Sequence, residues 1–116
     1  MRYFALTVNL KDDPRIIEQY KAYHRDVWPK VEQAMREVGI TAMKIFLVGR
    51  QLFLWVETVD EFDEAVDFER CEQMFPECRE WEDLMITFQE RSPDAKEGEW
   101  WAMMEQVYDF DAAKGS

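Results

Sequence analysis

The stretch ITAMKIFLVGRQLFLWVET, residues 40–58, decides the fold. Two runs rich in branched and aromatic residues, Ile40 to Val48 and Gln51 to Thr58, meet at Gly49-Arg50, and a two-residue link containing glycine between such runs signals a β-hairpin. Upstream, Ile17, Tyr20, His24, Val27, Val31, Met35 and Val38 recur at the i, i+3, i+4, i+7 spacing of an amphipathic helix. Asp13 and Pro14 open it as N-cap and first helical residue, and Gly39 is placed to end it. Pro29 removes an N–H and crowds the carbonyl four residues back, which predicts a kink or a fresh helical start near Trp28. Before the helix, Tyr3 to Leu10 reads as a strand. Downstream, Glu61 to Gln73 carries Phe62, Ala65, Val66 and Phe68 as its apolar positions. Pro76 to Gln89 carries Cys78, Trp81, Leu84, Met85 and Phe88 at helical spacing, so two consecutive helices are expected. Ser92-Pro93-Asp94 opens a polar loop through Gly98, Trp100 to Phe110 alternates as a closing strand, and Asp111 to Ser116 reads as a flexible tail.

The resulting order, β-α-β-β-α(α)-β, is the ferredoxin-like split βαβ arrangement of the α+β class, with helices on one face of a four-stranded antiparallel sheet. Residues 1–110 read as one domain. The strands carry bulky groups on both faces: Phe4, Leu6 and Val8 against Tyr3 and Ala5; Met43, Ile45 and Leu47 against Phe46 and Val48; Leu52 and Leu54 against Phe53 and Trp55; Trp101 and Met103 against Trp100 and Met104. One helical layer hides one face, and large apolar patches are uncommon on soluble monomers, so a homodimer packed sheet on sheet is expected.

Charge narrows the partners. A net charge of −11 repels phosphate backbones and anionic membrane surfaces, which disfavours nucleic acid and membrane as partners. No apolar run approaches the ~18 residues needed to span a bilayer. The opening MRYFALTVNLKDD is too short and too alternating for a signal peptide, so the expected location is cytoplasmic. Cys71 and Cys78 would lie roughly 10 Å apart on a continuous helix, beyond disulfide reach.

Chemistry concentrates around the single histidine. His24 falls on the apolar stripe one turn after Tyr20, so both side chains point toward the sheet. Two readings stand open: a buried histidine bonded to a carbonyl or to Tyr20, or a general acid/base drawn from the side chain whose ordinary pKa lies nearest neutrality. The tryptophans Trp28, Trp55, Trp81, Trp100 and Trp101 can stack on a sugar or other flat ligand, or fill the core and a dimer interface. Glu80, Glu82 and Asp83 beside Trp81 form a mostly solvated helix face from which Glu82 can turn inward to accept hydroxyl hydrogen bonds. One His and two Cys give no zinc set, and the acids lack the spacing of a calcium loop, so no metal is expected. Phosphate loop, dinucleotide fingerprint and nucleophile elbow are all missing from the sequence.

The segment Tyr20-Lys21-Ala22-Tyr23-His24-Arg25-Asp26-Val27-Trp28-Pro29 resembles the L-rhamnose/L-fucose mutarotase family, small dimeric α+β barrels of ferredoxin-like type. The resemblance extends to the opening RYFALTVNLKDDP, the Gly39 region, the block Glu80-Trp81-Glu82-Asp83-Leu84-Met85 with Phe88-Gln89 behind it, and the end Trp101 to Phe110. It implies that His24 is the catalytic acid and that Tyr20 binds the sugar. Rhamnose-type members carry tyrosine at the position of Met43 and a second tryptophan at that of Glu82, so this chain is more similar to the L-fucose branch. Exchanging an aromatic wall for a carboxylate alters which hydroxyl pattern is preferred.

The expected reaction interconverts the α and β anomers of a free 6-deoxyhexose, L-fucose ahead of L-rhamnose, by opening the ring to the aldehyde and closing it on the other carbonyl face. Proton transfers suffice, without cofactor or metal. His24 is one partner; Glu82, the Tyr20 hydroxyl or a water is the second. Trp81 and Trp28 stack on the sugar, and Glu105 from the last strand contacts a hydroxyl. Two rival readings are a cofactor-free monooxygenase or haem-degrading enzyme on the same barrel, and a sugar-binding module without catalysis.

Overall fold

The computed structural model describes residues 1–114. Its elements are β1 (Arg2–Leu10), α1 (Pro14–His24), α2 (Pro29–Glu37), β2 (Ile40–Val48), β3 (Gln51–Thr58), α3 (Asp67–Gln73), α4 (Pro76–Phe88), β4 (Gln89–Glu90) and β5 (Ala102–Met103), followed by a 3₁₀ turn at Ala112–Lys114. The sheet runs β2-β3-β1-β4 with β5 also on β1, every neighbour antiparallel. This is the ferredoxin-like α+β order. The hairpin closes through Val48 opposite Gln51, with Gly49 at φ +59°, a backbone sign that glycine adopts without steric cost.

Register sorts the side chains by face. Phe4, Val56 and Met43 stand in one cross-strand row, Leu6, Leu54 and Ile45 in the next, and Val8, Leu52 and Leu47 in a third, all toward the helices. The opposite face carries Tyr3, Trp55, Phe53, Phe46 and Val48, with Tyr3 and Trp55 at 5.3 Å between ring centroids and Phe46 and Phe53 at 6.0 Å. It is as apolar as the sequence indicates, and Phe46 and Val48 are 54% and 75% exposed.

Between α1 and α2 the chain breaks cleanly. Trp28 sits at φ −59°, ψ 133°, the extended conformation that a following proline imposes, and Pro29 starts α2. Asp13 caps α1 by accepting from the Arg15 amide at 2.9 Å. Past the end of α2, Gly39 adopts φ +96°, and a Cβ there would lie 2.6 Å from Val59 Cγ2.

Three expectations need correction. The helix read over Glu61 to Gln73 begins only at Asp67. Asp63 accepts from the Ala65 amide while Asp67 accepts from the Asp63 amide, and these side-chain bonds offer residues 61–66 an alternative to the helical ladder. The next helix stops at Phe88, because Gln89 turns extended to pair with Leu10. The closing strand over Trp100 to Phe110 shrinks to Ala102–Met103, and after the Met104 amide bonds Ala5 oxygen at 2.7 Å the chain leaves the sheet. Continuing the register of Met103 opposite Leu6 would set Glu105 opposite Phe4, on the face packed with Phe62 and Phe68. A carboxylate buried there without a partner is costly, and the strand ends before it. Of the expected tail, residues 115–116 lie outside the described part.

The two cysteines sit on α3 and α4, not on one helix, and both are free thiols.

Candidate active site

The last turn of α1 and the hairpin end of the sheet enclose a cleft of about 180 Å³. Tyr20, Lys21, His24 and Arg25 line it from the helix side, Ile45, Leu47 and Leu52 from the sheet. The one-turn spacing of Tyr20 and His24 brings their rings to 4.2 Å between centroids at 32°. His24 Nδ1 lies 2.8 Å from the Tyr20 carbonyl oxygen. A carbonyl only accepts, so Nδ1 carries the proton and Nε2 holds the free lone pair of the neutral imidazole.

Aromatic rings hold that imidazole. Trp81 of α4 meets His24 edge-on at 5.4 Å and 70°, Trp28 abuts Trp81 at 5.1 Å, and Tyr23 closes the other side of Trp81 at 6.2 Å. Burial lowers the His24 pKa, partly offset by the bond to Tyr20 oxygen, so the ring rests uncharged. Burial likewise pushes the Tyr20 phenol well above its ordinary value, with the Gln89 side chain bonding it and opposing the shift. Gln89 also accepts from Trp100 Nε1 at 2.9 Å, which ties the strand after α4 to the loop before β5.

Glu82 is half-buried, whereas its neighbours Glu80 and Asp83 are exposed. Burial, reinforced by Glu72 and Asp83 and opposed by Arg79, pushes its carboxyl up to about 7. A group that titrates near neutrality takes and gives protons with little driving force lost in either direction. Its charge also reaches the Tyr20 hydroxyl, raising that pKa. Glu72 on α3 is raised by its own burial. Cys71, in the same corner, is pushed up to about 12 by burial and neighbouring acids, which makes it a poor nucleophile.

Of the residues singled out from the sequence, Tyr20 and His24 line the cleft, and Trp81 and Trp28 frame the histidine. Glu82 does not line the cleft, and neither does Met43. Met43 stands one row beyond Ile45 along β2 and packs with Val38, Ile40, Val56 and Phe62 in the second apolar cluster. Glu105 is not in a strand and is exposed beyond β5. Sequence reasoning missed Gln89, although it follows the Trp81 block directly, and missed Lys21 and Arg25, which the helical period places on the histidine's flank. Ile45, Leu47 and Leu52 were legible as one sheet face but not as a cleft wall.

A family profile described as L-rhamnose mutarotase matches residues 3–110. A UPF0734 protein of Dictyostelium discoideum is 41% identical over 111 residues, covering 93% of this chain and 89% of that protein. An L-fucose mutarotase of Xanthomonas campestris pv. campestris is 30% identical over 115 residues, covering 97% of this chain and 91% of its own. Among solved structures, an L-rhamnose mutarotase from Formosa agariphila superposes with TM-score 0.70 at 19% identity, over 96% of this chain and 100% of that one. Tetracenomycin F2 cyclase from Streptomyces glaucescens superposes with TM-score 0.64 at 18% identity, over 97% and 99%. At these identities the two structures bear on the fold alone.

Proposed function

The chain belongs to the L-rhamnose mutarotase family, and from that premise we propose that it interconverts the α and β anomers of a free 6-deoxyhexose, with L-fucose preferred. The observation that carries the chemistry is the neutral His24 imidazole, its Nδ1–H fixed on Tyr20 oxygen beside the cleft. Nε2 takes the proton of the anomeric hydroxyl as the bond between the anomeric carbon and the ring oxygen breaks and the aldehyde forms. The ring oxygen gains a proton from the second partner, for which the Tyr20 hydroxyl, which lines the cleft, a water and Glu82 are the candidates. After the carbonyl rotates, both transfers run backward and the ring closes as the other anomer. Each positioned transfer contributes typically ~10²–10⁴-fold, and neither calls for a metal or cofactor.

Tyr20 binds a sugar hydroxyl through its un-ionised phenol; Trp81, 5% exposed, holds the imidazole from behind, and Trp28, half-buried beside it, is the tryptophan left to meet the sugar's C–H face. Similarity to the Xanthomonas L-fucose mutarotase and the carboxylate at Glu82 favour L-fucose; the profile's description favours L-rhamnose as the second reading. Met43 enters this reading as a neighbour of Ile45, which lines the cleft. The working unit is a homodimer in which each sheet covers the exposed Tyr3, Phe46 and Val48 of the other. A cytoplasmic setting accords with two unpaired thiols.

Saturation-transfer NMR on L-fucose and L-rhamnose is the direct test, with a chelator as control. Exchange should accelerate for both sugars, more for L-fucose, and be unchanged by the chelator. Changing Glu82 to Trp together with Met43 to Tyr should move the kcat/KM ratio toward L-rhamnose. Binding of both sugars with no acceleration would select a binding module instead, and a haemin titration with a specific absorbance shift would select the haem-enzyme reading.

A further inference from the structure

The loop between β4 and β5 carries a chain of hydrogen bonds that runs in one direction, toward Tyr20. It begins at Arg91, whose guanidinium donates to the carbonyl oxygens of Glu99 at 2.7 Å, Ala95 at 3.0 Å and Lys96 at 2.7 Å and so closes the loop on itself. The amide of Ser92, a residue 2% exposed, bonds Trp100 oxygen at 2.9 Å. Trp100 is thereby held in place without belonging to a strand. Its indole Nε1 donates to Gln89 Oε1 at 2.9 Å.

An indole N–H can only donate, so this bond fixes which way round the Gln89 carboxamide lies. Oε1 faces Trp100, and the Nε2 amino group, which gives hydrogen bonds and receives none, faces away from it. Gln89 is 4% exposed, and its pairing with Leu10 sets it against the cluster that holds Tyr20 and Phe88. Its side chain bonds the Tyr20 phenol and favours the ionised form, which only a donor to that oxygen does. Donation onto one side of the phenol oxygen keeps the phenol's own hydrogen off that side. The O–H is left to point toward the cleft, which Tyr20 lines and Gln89 does not.

We propose that Gln89, set by the Trp100 indole, is a positioning residue that makes the Tyr20 hydroxyl a directed donor to an oxygen of the sugar in the cleft. This rests on the function proposed above. A phenol free to rotate either donates to a sugar hydroxyl or accepts from one. With Gln89 in place it meets the sugar by donating, so the site selects an oxygen that offers a lone pair at that point.

NMR of the full-length protein tests the chain of bonds without any sugar. Tyr20→Phe keeps the ring and removes the oxygen, and it should shift the Gln89 side-chain amide protons. Gln89→Leu should shift the Trp100 indole proton, identified by its loss in Trp100→Phe. A Gln89 amide signal unmoved by Tyr20→Phe overturns the proposal whatever the sugars do. In turnover, Gln89→Leu should raise KM about tenfold and leave kcat within about twofold, because a bond made alike to bound sugar and transition state is lost from both. Trp100→Phe should act in the same direction and less strongly. On a Tyr20→Phe background neither change should cost more than about twofold, since no hydroxyl remains to be directed. The same loss on both backgrounds marks a merely structural role and overturns the proposal. Should Gln89→Leu fail to fold, Trp100→Phe carries the same cycle. A wild type that accelerates neither sugar overturns the proposed function and the part given to Gln89 in turnover, while the amide shift still decides the bond to Tyr20.

Discussion

The helix-covered face of the sheet ends in two different clusters. At one end Phe4, Phe62 and Phe68 form a triangle with centroid separations of 5.7, 5.8 and 4.9 Å, closed by Val38, Ile40 and Val56. At the other end Tyr20, Trp81, Met85 and Phe88 pack on Val8, Leu10 and Leu52, but His24, Gln89 and Trp100 thread hydrogen bonds through the packing and a cleft remains beside it. The apolar end fills its volume with rings that need no partner. The polar end holds groups that each require one, and the requirement fixes their orientation at the expense of close packing. The candidate site lies where packing is incomplete and the polar groups are nevertheless satisfied.

The comparison is most directly broken at His24. His24→Ala should reduce anomer exchange by about 10²–10⁴-fold while stability changes little, since the imidazole is only partly buried. Near wild-type exchange in that variant would make both ends structural. Phe62→Ala probes the other end, where loss of a ring 2% exposed should lower unfolding free energy by about 3–5 kcal/mol in urea titration. Its folded fraction should exchange anomers within about twofold of wild type, because distant sites act independently.

Glu82 gives the smallest effect and sharpens the electrostatic side. Its carboxyl is raised from 4.5 to about 7, so the folded state holds a proton that the unfolded chain has already released. That contribution is full below pH 4.5 and is lost as pH rises through 7. The stability of the wild type relative to Glu82→Gln should therefore decline across that window and be flat above it. A thermal melting series in which the two proteins run parallel throughout would mean that Glu82 is solvated in solution. Glu72, raised in the same direction, leaves part of the slope in both proteins.

The hairpin, the break before Pro29 and the two sheet faces were legible because each depends on local signals: a glycine turn, a missing N–H, a period of two. The 61–66 turn was not, since its helical stripe loses to Asp63 and Asp67 bonding the backbone. The shortened last strand was hidden for another reason, because an alternating pattern cannot disclose that Glu105 would face Phe4. Helical spacing alone puts Tyr20 and His24 on one face; their reading as a site came from the resemblance, since spacing left a core histidine equally open. Gln89 and the half-buried state of Glu82 depend on how α4 lies against α1 and α3, which no one-dimensional pattern records.

The break between α1 and α2 has an electrical consequence. Because the chain turns at residues 25–28, His24 occupies the final turn of α1 instead of the middle of a continuous helix. The unpaired carbonyls of a helix's last turn carry a partial negative charge that favours a cation there by about 0.3–1 kcal/mol, more where water is excluded. An imidazole that must rest uncharged and then accept a proton during turnover gains most from such a field, since the field acts only while the charge is present. Pro29, five residues after His24, thereby bears on the potential at Nε2 without touching the ring.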